Sequence, residues 1–260
     1  MSEIIKSQTG SFCWVDLGTH DVKKALDFYK DMFGWKSMEA APHDNWKYMV
    51  QMSEDVAIGA IYEMHQNMKE KQLPSFWMSY IDVDDVDQTL AKAVELGAVV
   101  IGPAENVENV GRMAVLQDTC GAVVALWHCF ERGAGCNQNR PGTVCWNELG
   151  THEPDKSIEF YSRLLGWKAQ ADDCPSGMPY TLFKFKDQVV AGLFTMPPEM
   201  KDIPAHWLVY FQVENCEEAC RKALVLGGKL LLPTKDIPGM GSFAVIQDSQ
   251  GAVFAVMQMI

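Results

Sequence analysis

The amino-acid sequence predicts an α+β chain of two tandem domains. Each domain holds two βαβββ modules that form a curved half-barrel sheet with helices outside. Three observations carry this. The stretch CWVDLGTHDVKKALDFYKDMFGW at 13–35 returns as CWNELGTHEPDKSIEFYSRLLGW at 145–167, with 11 of 23 positions identical at an offset of 132. The stretch GRMAVLQDTCGAVVAL at 111–126 returns as GSFAVIQDSQGAVFAV at 241–256, offset by 130. Self-similarity at one long period marks a duplicated unit, and about 125 residues is the size of a small domain rather than of a solenoid repeat. The third observation is that strand, helix and further strands succeed one another twice within each copy. The domains are expected at 1–132 and 143–260. Residues 133–142, rich in Gly and Asn and carrying Pro141, are expected to link them.

Residues 11–17 alternate loosely and read as a strand. Asp21 is placed as an N-cap; its repeat partner Glu153 precedes Pro154, a residue favoured at the first helical position. Val22, Ala25, Leu26, Tyr29, Met32 and Phe33 recur at helical spacing, and Gly34 stands where a left-handed residue ends a helix. Two strands follow at 48–52 and 56–62, then a polar connector at 65–74. The second module begins with a strand at 76–83. Asp85 caps a helix whose inner face is Val86, Leu90, Ala93 and Val94, ended by Gly97, and short strands follow at 98–101, 113–117 and 122–127. The second copy repeats the order, with helices at 154–165 and 216–226.

The 260 residues, 48% of them apolar, leave room for two hydrophobic cores. A net charge of −12 lacks the basic footprint of a nucleic-acid binder, so no nucleic-acid partner is expected. Neither a signal peptide nor a membrane-spanning run is visible, so the expected location is cytoplasmic, without a membrane partner. Of eight cysteines only Cys13 and Cys145 fall at matched repeat positions, which reads as reduced thiols rather than a disulfide framework. Cys216 and Cys220 align with Val86 and Leu90 and read as buried apolar filler.

The signature D-x-x-x-(A/S)-x-(D/E)-F-Y-x-x-x-x-G-W at Asp21–Trp35 recurs at Glu153–Trp167 with Glu leading, and Q-D-x-x-G-A closes each copy at 117–122 and 247–252. In these motifs the chain resembles the vicinal oxygen chelate superfamily of glyoxalase I, bleomycin-resistance proteins and extradiol dioxygenases, and most closely its tandem glyoxalase-like members. The resemblance covers nearly the whole chain. It implies metal ligands at three places per domain: a His on the first strand, a His or Glu mid-domain, and a Glu four residues after the closing Gly. Those positions hold Trp14, Met78 and Ala125 in one copy and Trp146, Leu208 and Ala255 in the other. Indole, thioether and methyl groups do not replace imidazole and carboxylate toward a hard divalent ion. No cofactor is therefore expected, a divalent metal ion being the alternative.

Side chains two apart on a strand share a face. If Trp14 and Trp146 face the concave side, so do Asp16 and Glu148. If Met78 and Leu208 do, so do Phe76, Tyr80, His206 and Tyr210. The candidate catalytic group is Glu148, His206 and Tyr210, a carboxylate, an imidazole and a phenol suited to proton transfer. The candidate ligand-binding residues are Trp14, Asp16, Tyr80 and Trp146, whose rings would stack on a flat, cationic ligand while the carboxylates pair with its charge. The plainer alternative makes the carboxylates backbone partners and the aromatics core. His20 and His152, matched between copies, fall in the loop before each helix; His43, His65 and His128 have no repeat partner and are expected at the surface. The expected function is action on, or binding of, a small organic molecule in a concave sheet pocket without the family metal site. A glyoxalase-like lyase or oxygenase is one reading, and a sequestering, resistance-type binder is the alternative. A homodimer is left open.

Overall fold

The computed structural model describes residues 9–40, 47–130, 140–172 and 179–260. Four βαβββ modules follow one another. The first runs β1 (Phe12–Thr19), α1 (Val22–Phe33), β2 (Lys36–Glu39), β3 (Tyr48–Ser53) and β4 (Val56–Glu63). A short helix, α2 (Gln66–Glu70), leads to the second: β5 (Phe76–Asp82), α3 (Val86–Glu95), β6 (Val99–Val107), β7 (Gly111–Gln117) and β8 (Val123–Cys129). The third is β9 (Val144–Thr151), α4 (Pro154–Leu165), β10 (Lys168–Asp172), β11 (Tyr180–Phe185) and β12 (Gln188–Thr195). The fourth is β13 (His206–Gln212), α5 (Cys216–Val225), β14 (Lys229–Ile237), β15 (Gly241–Gln247) and β16 (Val253–Met259).

Two eight-stranded sheets result, ordered β2-β3-β4-β1-β5-β8-β7-β6 and β10-β11-β12-β9-β13-β16-β15-β14. Neither order returns on itself, so no barrel closes. In each module the first strand lies parallel to the last, as in β1 with β4 and β9 with β12, and the remaining neighbours are antiparallel. Strands β2 and β10 were not read from the sequence. The side chains of β2 are all exposed and those of β10 nearly so, which leaves no alternation to detect. The connector expected at 65–74 contains the single helical turn and a half of α2.

The helix ends follow their local chemistry. The Asp21 side chain accepts a hydrogen bond from the Lys24 amide, and Gly34 is left-handed at φ 75°. In α4 Pro154 takes the first helical position, but the Glu153 side chain makes no capping bond. Two expected faces shift by a residue: Phe28 joins the buried side of α1, and Val94 turns outward from α3 with 48% of its surface exposed. The expected linker 133–142 is described only from Arg140.

Compactness divides the chain into two units, each with its own core. Unit 1 is the described part of 1–13, 79–135 and 146–208, and unit 2 that of 14–78, 136–145 and 209–260. In unit 2 the motif residues build the core. Trp77 Nε1–H donates to Tyr29 Oη (2.9 Å), and the Tyr29 hydroxyl donates to Asp248 Oδ2 (3.0 Å). The other Asp248 oxygen accepts the Gln250 and Ala252 amides at 2.8 and 2.9 Å. Trp35 stacks on Tyr29 and donates to the Gly142 carbonyl (2.8 Å).

Unit 1 repeats the arrangement in kind. Trp207 donates to Tyr161 (2.8 Å), Tyr161 to Asp118 (2.9 Å), and Asp118 accepts the Cys120 and Ala122 amides. Burial pushes the Tyr29 and Tyr161 hydroxyls well above 10.0, each helped by its aspartate, and raises both aspartates against their hydrogen bonds. Cys216 and Cys220 are buried on one face of α5, as a filler role requires, and burial lifts the Cys216 thiol to about 11.

Candidate functional site

Alternation along the first strand of each copy separates core from site. On β1, Val15 and Leu17 enter the unit 2 core, so Trp14 and Asp16 lie on the opposite face; on β9, Leu149 enters the unit 1 core and leaves Trp146 and Glu148 opposite. On that face each copy builds one chain of hydrogen bonds. In unit 1, Trp146 Nε1–H donates to Tyr180 Oη (2.9 Å) and the Tyr180 hydroxyl donates to Glu148 Oε2 (2.8 Å). In unit 2, Trp14 donates to Tyr48 (2.9 Å) and Tyr48 to Asp16 Oδ2 (3.3 Å).

The tyrosines were missed in the sequence. They stand on β11 and β3, a strand away from the residues they contact, and strand parity says nothing about which strands are neighbours. One signal was present: Tyr48 and Tyr180 obey the same offset of 132 as the tryptophans and the acids.

The two chains end in different surroundings. Asp16 is 2% exposed, whereas Glu148 is half-buried. The Tyr48 ring stacks near Tyr62, and burial with the Asp16 carboxylate pushes both hydroxyls well above 10.0. Beyond the acids each strand carries a glycine. A Cβ added at Gly18 would lie 3.0 Å from the Tyr62 hydroxyl and 3.2 Å from Phe76; one added at Gly150 would lie 2.9 Å from Phe194 and 3.2 Å from His206 Cε1. Unit 1 thus has an imidazole where unit 2 has a phenyl ring. His206 Nδ1 is 2.9 Å from the Pro204 carbonyl, which can only accept, so Nδ1 carries the proton and Nε2 of the neutral ring is an acceptor.

The structure brings Trp146, Glu148 and His206 onto one face of unit 1, and Trp14 and Asp16 onto the matching face of unit 2. Tyr210 belongs to unit 2; it is buried, pairs with Ala255 and lies by the Phe243 ring. Tyr80 belongs to unit 1, buried opposite Ala125 with its ring edge-on to Trp127. His20 and His152 are exposed and bond the Leu73 and Ile203 carbonyls, which fixes loops. His128, expected at the surface, is half-buried and bonds the Val83 carbonyl, because its strand ends beside that turn; His65 is exposed, and His43 lies outside the described residues.

The six positions where the resemblance implies metal ligands do not fit a divalent ion. Both indole N–H groups donate to tyrosines, and an indole offers no lone pair. Ala125 and Ala255 are wholly buried methyl groups, Leu208 is a buried aliphatic side chain, and Met78 offers only a soft sulfur. Among the described residues no three His, Cys, Asp or Glu side chains cluster as a metal would need. A cavity of about 280 Å³ lies elsewhere in unit 1, between Cys120, His152, Glu153 and Lys201.

Comparison with known proteins bears on the family and the fold. Residues 11–126 match the Glyoxalase/Bleomycin resistance protein/Dioxygenase superfamily, and residues 143–257 match a Glyoxalase-like domain. The chain is 36% identical over 246 residues to the protein named "Putative glyoxylase CFP32" of Mycobacterium tuberculosis, covering 94% of this chain and 93% of that one. It is 30% identical over 261 residues to the anthracycline biosynthesis protein DnrV of Streptomyces peucetius, covering 96% and 94%. Among solved structures, the Mn(II)-bound glyoxalase of Novosphingobium aromaticivorans superposes with a TM-score of 0.63 at 14% identity, over 97% of this chain and 83% of that one. The 2,3-dioxygenase LapB of a Pseudomonas strain gives 0.62 at 12%, over 97% and 93%. These two likenesses show the fold alone. With both copies matched and relatives aligned along almost its whole length, the chain belongs to the glyoxalase, bleomycin-resistance and dioxygenase superfamily.

Proposed function

We propose that the face of unit 1 carrying Trp146, Tyr180, Glu148 and His206 binds a small, flat organic molecule bearing a carbonyl, and moves a proton on it without a metal ion. The observation that carries the reading is the hydrogen-bonded chain from Trp146 through Tyr180 to Glu148, with His206 beside Gly150 on the same face. A carboxylate oriented by a phenol is a proton acceptor of fixed direction, and an imidazole with Nδ1–H held by a carbonyl presents Nε2 for a second transfer. The aromatic rings supply area for a planar ligand. The relatives' names, a glyoxylase and an anthracycline biosynthesis protein, support small oxygen-bearing organic molecules as the class.

Unit 2 favours the second reading, stoichiometric binding without turnover. Its acid is sealed and it has phenyl in place of imidazole.

The test uses the intact protein, an anthraquinone-type ketone and a 2-oxoaldehyde–thiol adduct. Tryptophan fluorescence reports binding, and deuterium uptake from solvent reports proton transfer. Binding and uptake are expected to fall at least tenfold in His206→Phe, which copies unit 2. Binding without uptake by the native protein would select the sequestering reading. If His206→Phe changes neither signal, this face is not the working site.

A further inference from the structure

We infer that Tyr180 is a positioning residue for Glu148, and that Gly192 is the specific gap that admits it. The inference deepens the proposed function and rests on it for its meaning, not for its test. Tyr180 begins on β11 opposite Phe194 of β12, while Glu148 lies on β9, on the far side of β12. To bond Glu148 the phenol must cross β12. It crosses at Gly192, the residue paired with Glu148. A methyl group there would overlap the Tyr180 hydroxyl and come within 2.9 Å of Trp146 Nε1, colliding with both donors of the chain at once. As Tyr180 is placed in unit 1, its hydroxyl fills the space that a side chain at 192 would take.

The other copy differs at two places, with alanine for the glycine and the shorter aspartate for the glutamate. Ala60 holds the corresponding place opposite Asp16. There the phenol reaches its carboxylate at 3.3 Å rather than 2.8 Å, although the Trp–Tyr bond is 2.9 Å in both. A charge-assisted O–H···O⁻ bond strengthens as it shortens, and accepting the indole N–H makes the Tyr180 hydroxyl a better donor. The consequence for Glu148 is twofold: one oxygen is held in place, and the ionised form is favoured over the neutral acid.

The experiment follows the Glu148 carboxyl by ¹³C NMR in glutamate-labelled protein, its signal assigned by loss in Glu148→Gln. Tyr180→Phe and Gly192→Ala are each expected to raise the titration midpoint of that carboxyl by about one pH unit, the size of a single lost charge-assisted hydrogen bond. Ala60→Gly, the reciprocal change in unit 2, is expected to leave it where it was. Circular dichroism checks that each variant is folded, and Gly192→Ala keeps the question decidable should Tyr180→Phe not fold. A lowered melting temperature with an unmoved carboxyl midpoint in the folded variants would reduce Tyr180 to a packing role and overturn the inference. A midpoint that moves while the pH profile of ligand binding does not follow it would uphold the positioning role and overturn the functional reading of the site.

Discussion

Tyr161 sits between a tryptophan that donates to it and an aspartate that accepts from it, entirely removed from water. Removing its hydroxyl leaves the Trp207 N–H and an Asp118 oxygen short of a partner. Tyr161→Phe is expected to lower stability by about 1–3 kcal/mol at pH 7. The sign with pH follows from burial. A tyrosine whose folded pKa lies well above 10.0 contributes stability that is complete below 10.0 and is lost as pH climbs toward the folded value. The stability gap between the native protein and Tyr161→Phe should therefore narrow above about pH 10. Urea midpoints at pH 7 and 10.5 measure it, and a constant gap would contradict the assignment. At the same scale, the motifs that announce the family proved to be core. The F-Y-x-x-x-x-G-W and Q-D-x-x-G-A residues hold each other, while the site residues stand beside them on the other face of the sheet.

At the scale of elements, the two long repeat helices start differently. In α1 the Asp21 side chain caps the Lys24 amide, and the Gln250 side chain both accepts from the Asp21 amide and donates to its carbonyl, at 2.9 Å each. In α4 the Glu153 side chain caps nothing, and the counterpart of Gln250 is Cys120, whose short side chain borders the 280 Å³ cavity. Asp21→Ala should cost about 1 kcal/mol, and Glu153→Ala less than half of that, since only an exposed ion pair to Lys156 is lost. Gln250→Cys should cost about 1–2 kcal/mol for two bonds to backbone. Denaturant midpoints of the three variants decide this; equal losses for the two N-cap changes would refute the contrast. The helices themselves were legible, because their apolar spacing and terminal glycines are local. Strands β2 and β10 were not, because exposed edge strands carry no alternating pattern.

For the whole molecule, the sharpest expectation concerns metal. With indole, aliphatic, thioether and methyl groups at the six family positions, dialysed protein should hold well under one equivalent of zinc, nickel, manganese or iron, and chelator should leave ligand binding unchanged. Plasma emission analysis finding about one equivalent per chain, with binding lost to chelator, would overturn this. No described helix is long and apolar enough to span a membrane. The repeats describe two sheets, one from each copy, but the hydrophobic cores do not follow the repeat boundaries. Core residues of unit 2 come chiefly from the first and last modules, and those of unit 1 chiefly from the middle two.

By itself the sequence determined the duplication, the βαβββ order, the family, and the side of each strand on which Trp14, Asp16, Trp146, Glu148 and His206 fall. These depend on short-range periodicity and on comparing one copy with the other. The tertiary structure alone decided which strands are neighbours, and hence that Tyr180 crosses β12 at Gly192 to reach Glu148, and that Tyr48 reaches Asp16 in the other copy. It also decided that Tyr210 falls in a different unit from Glu148 and His206, and that Asp16 is sealed whereas Glu148 is half-open. A strand's period fixes a face, but the partner across that face is chosen by long-range pairing, which leaves no period in the chain.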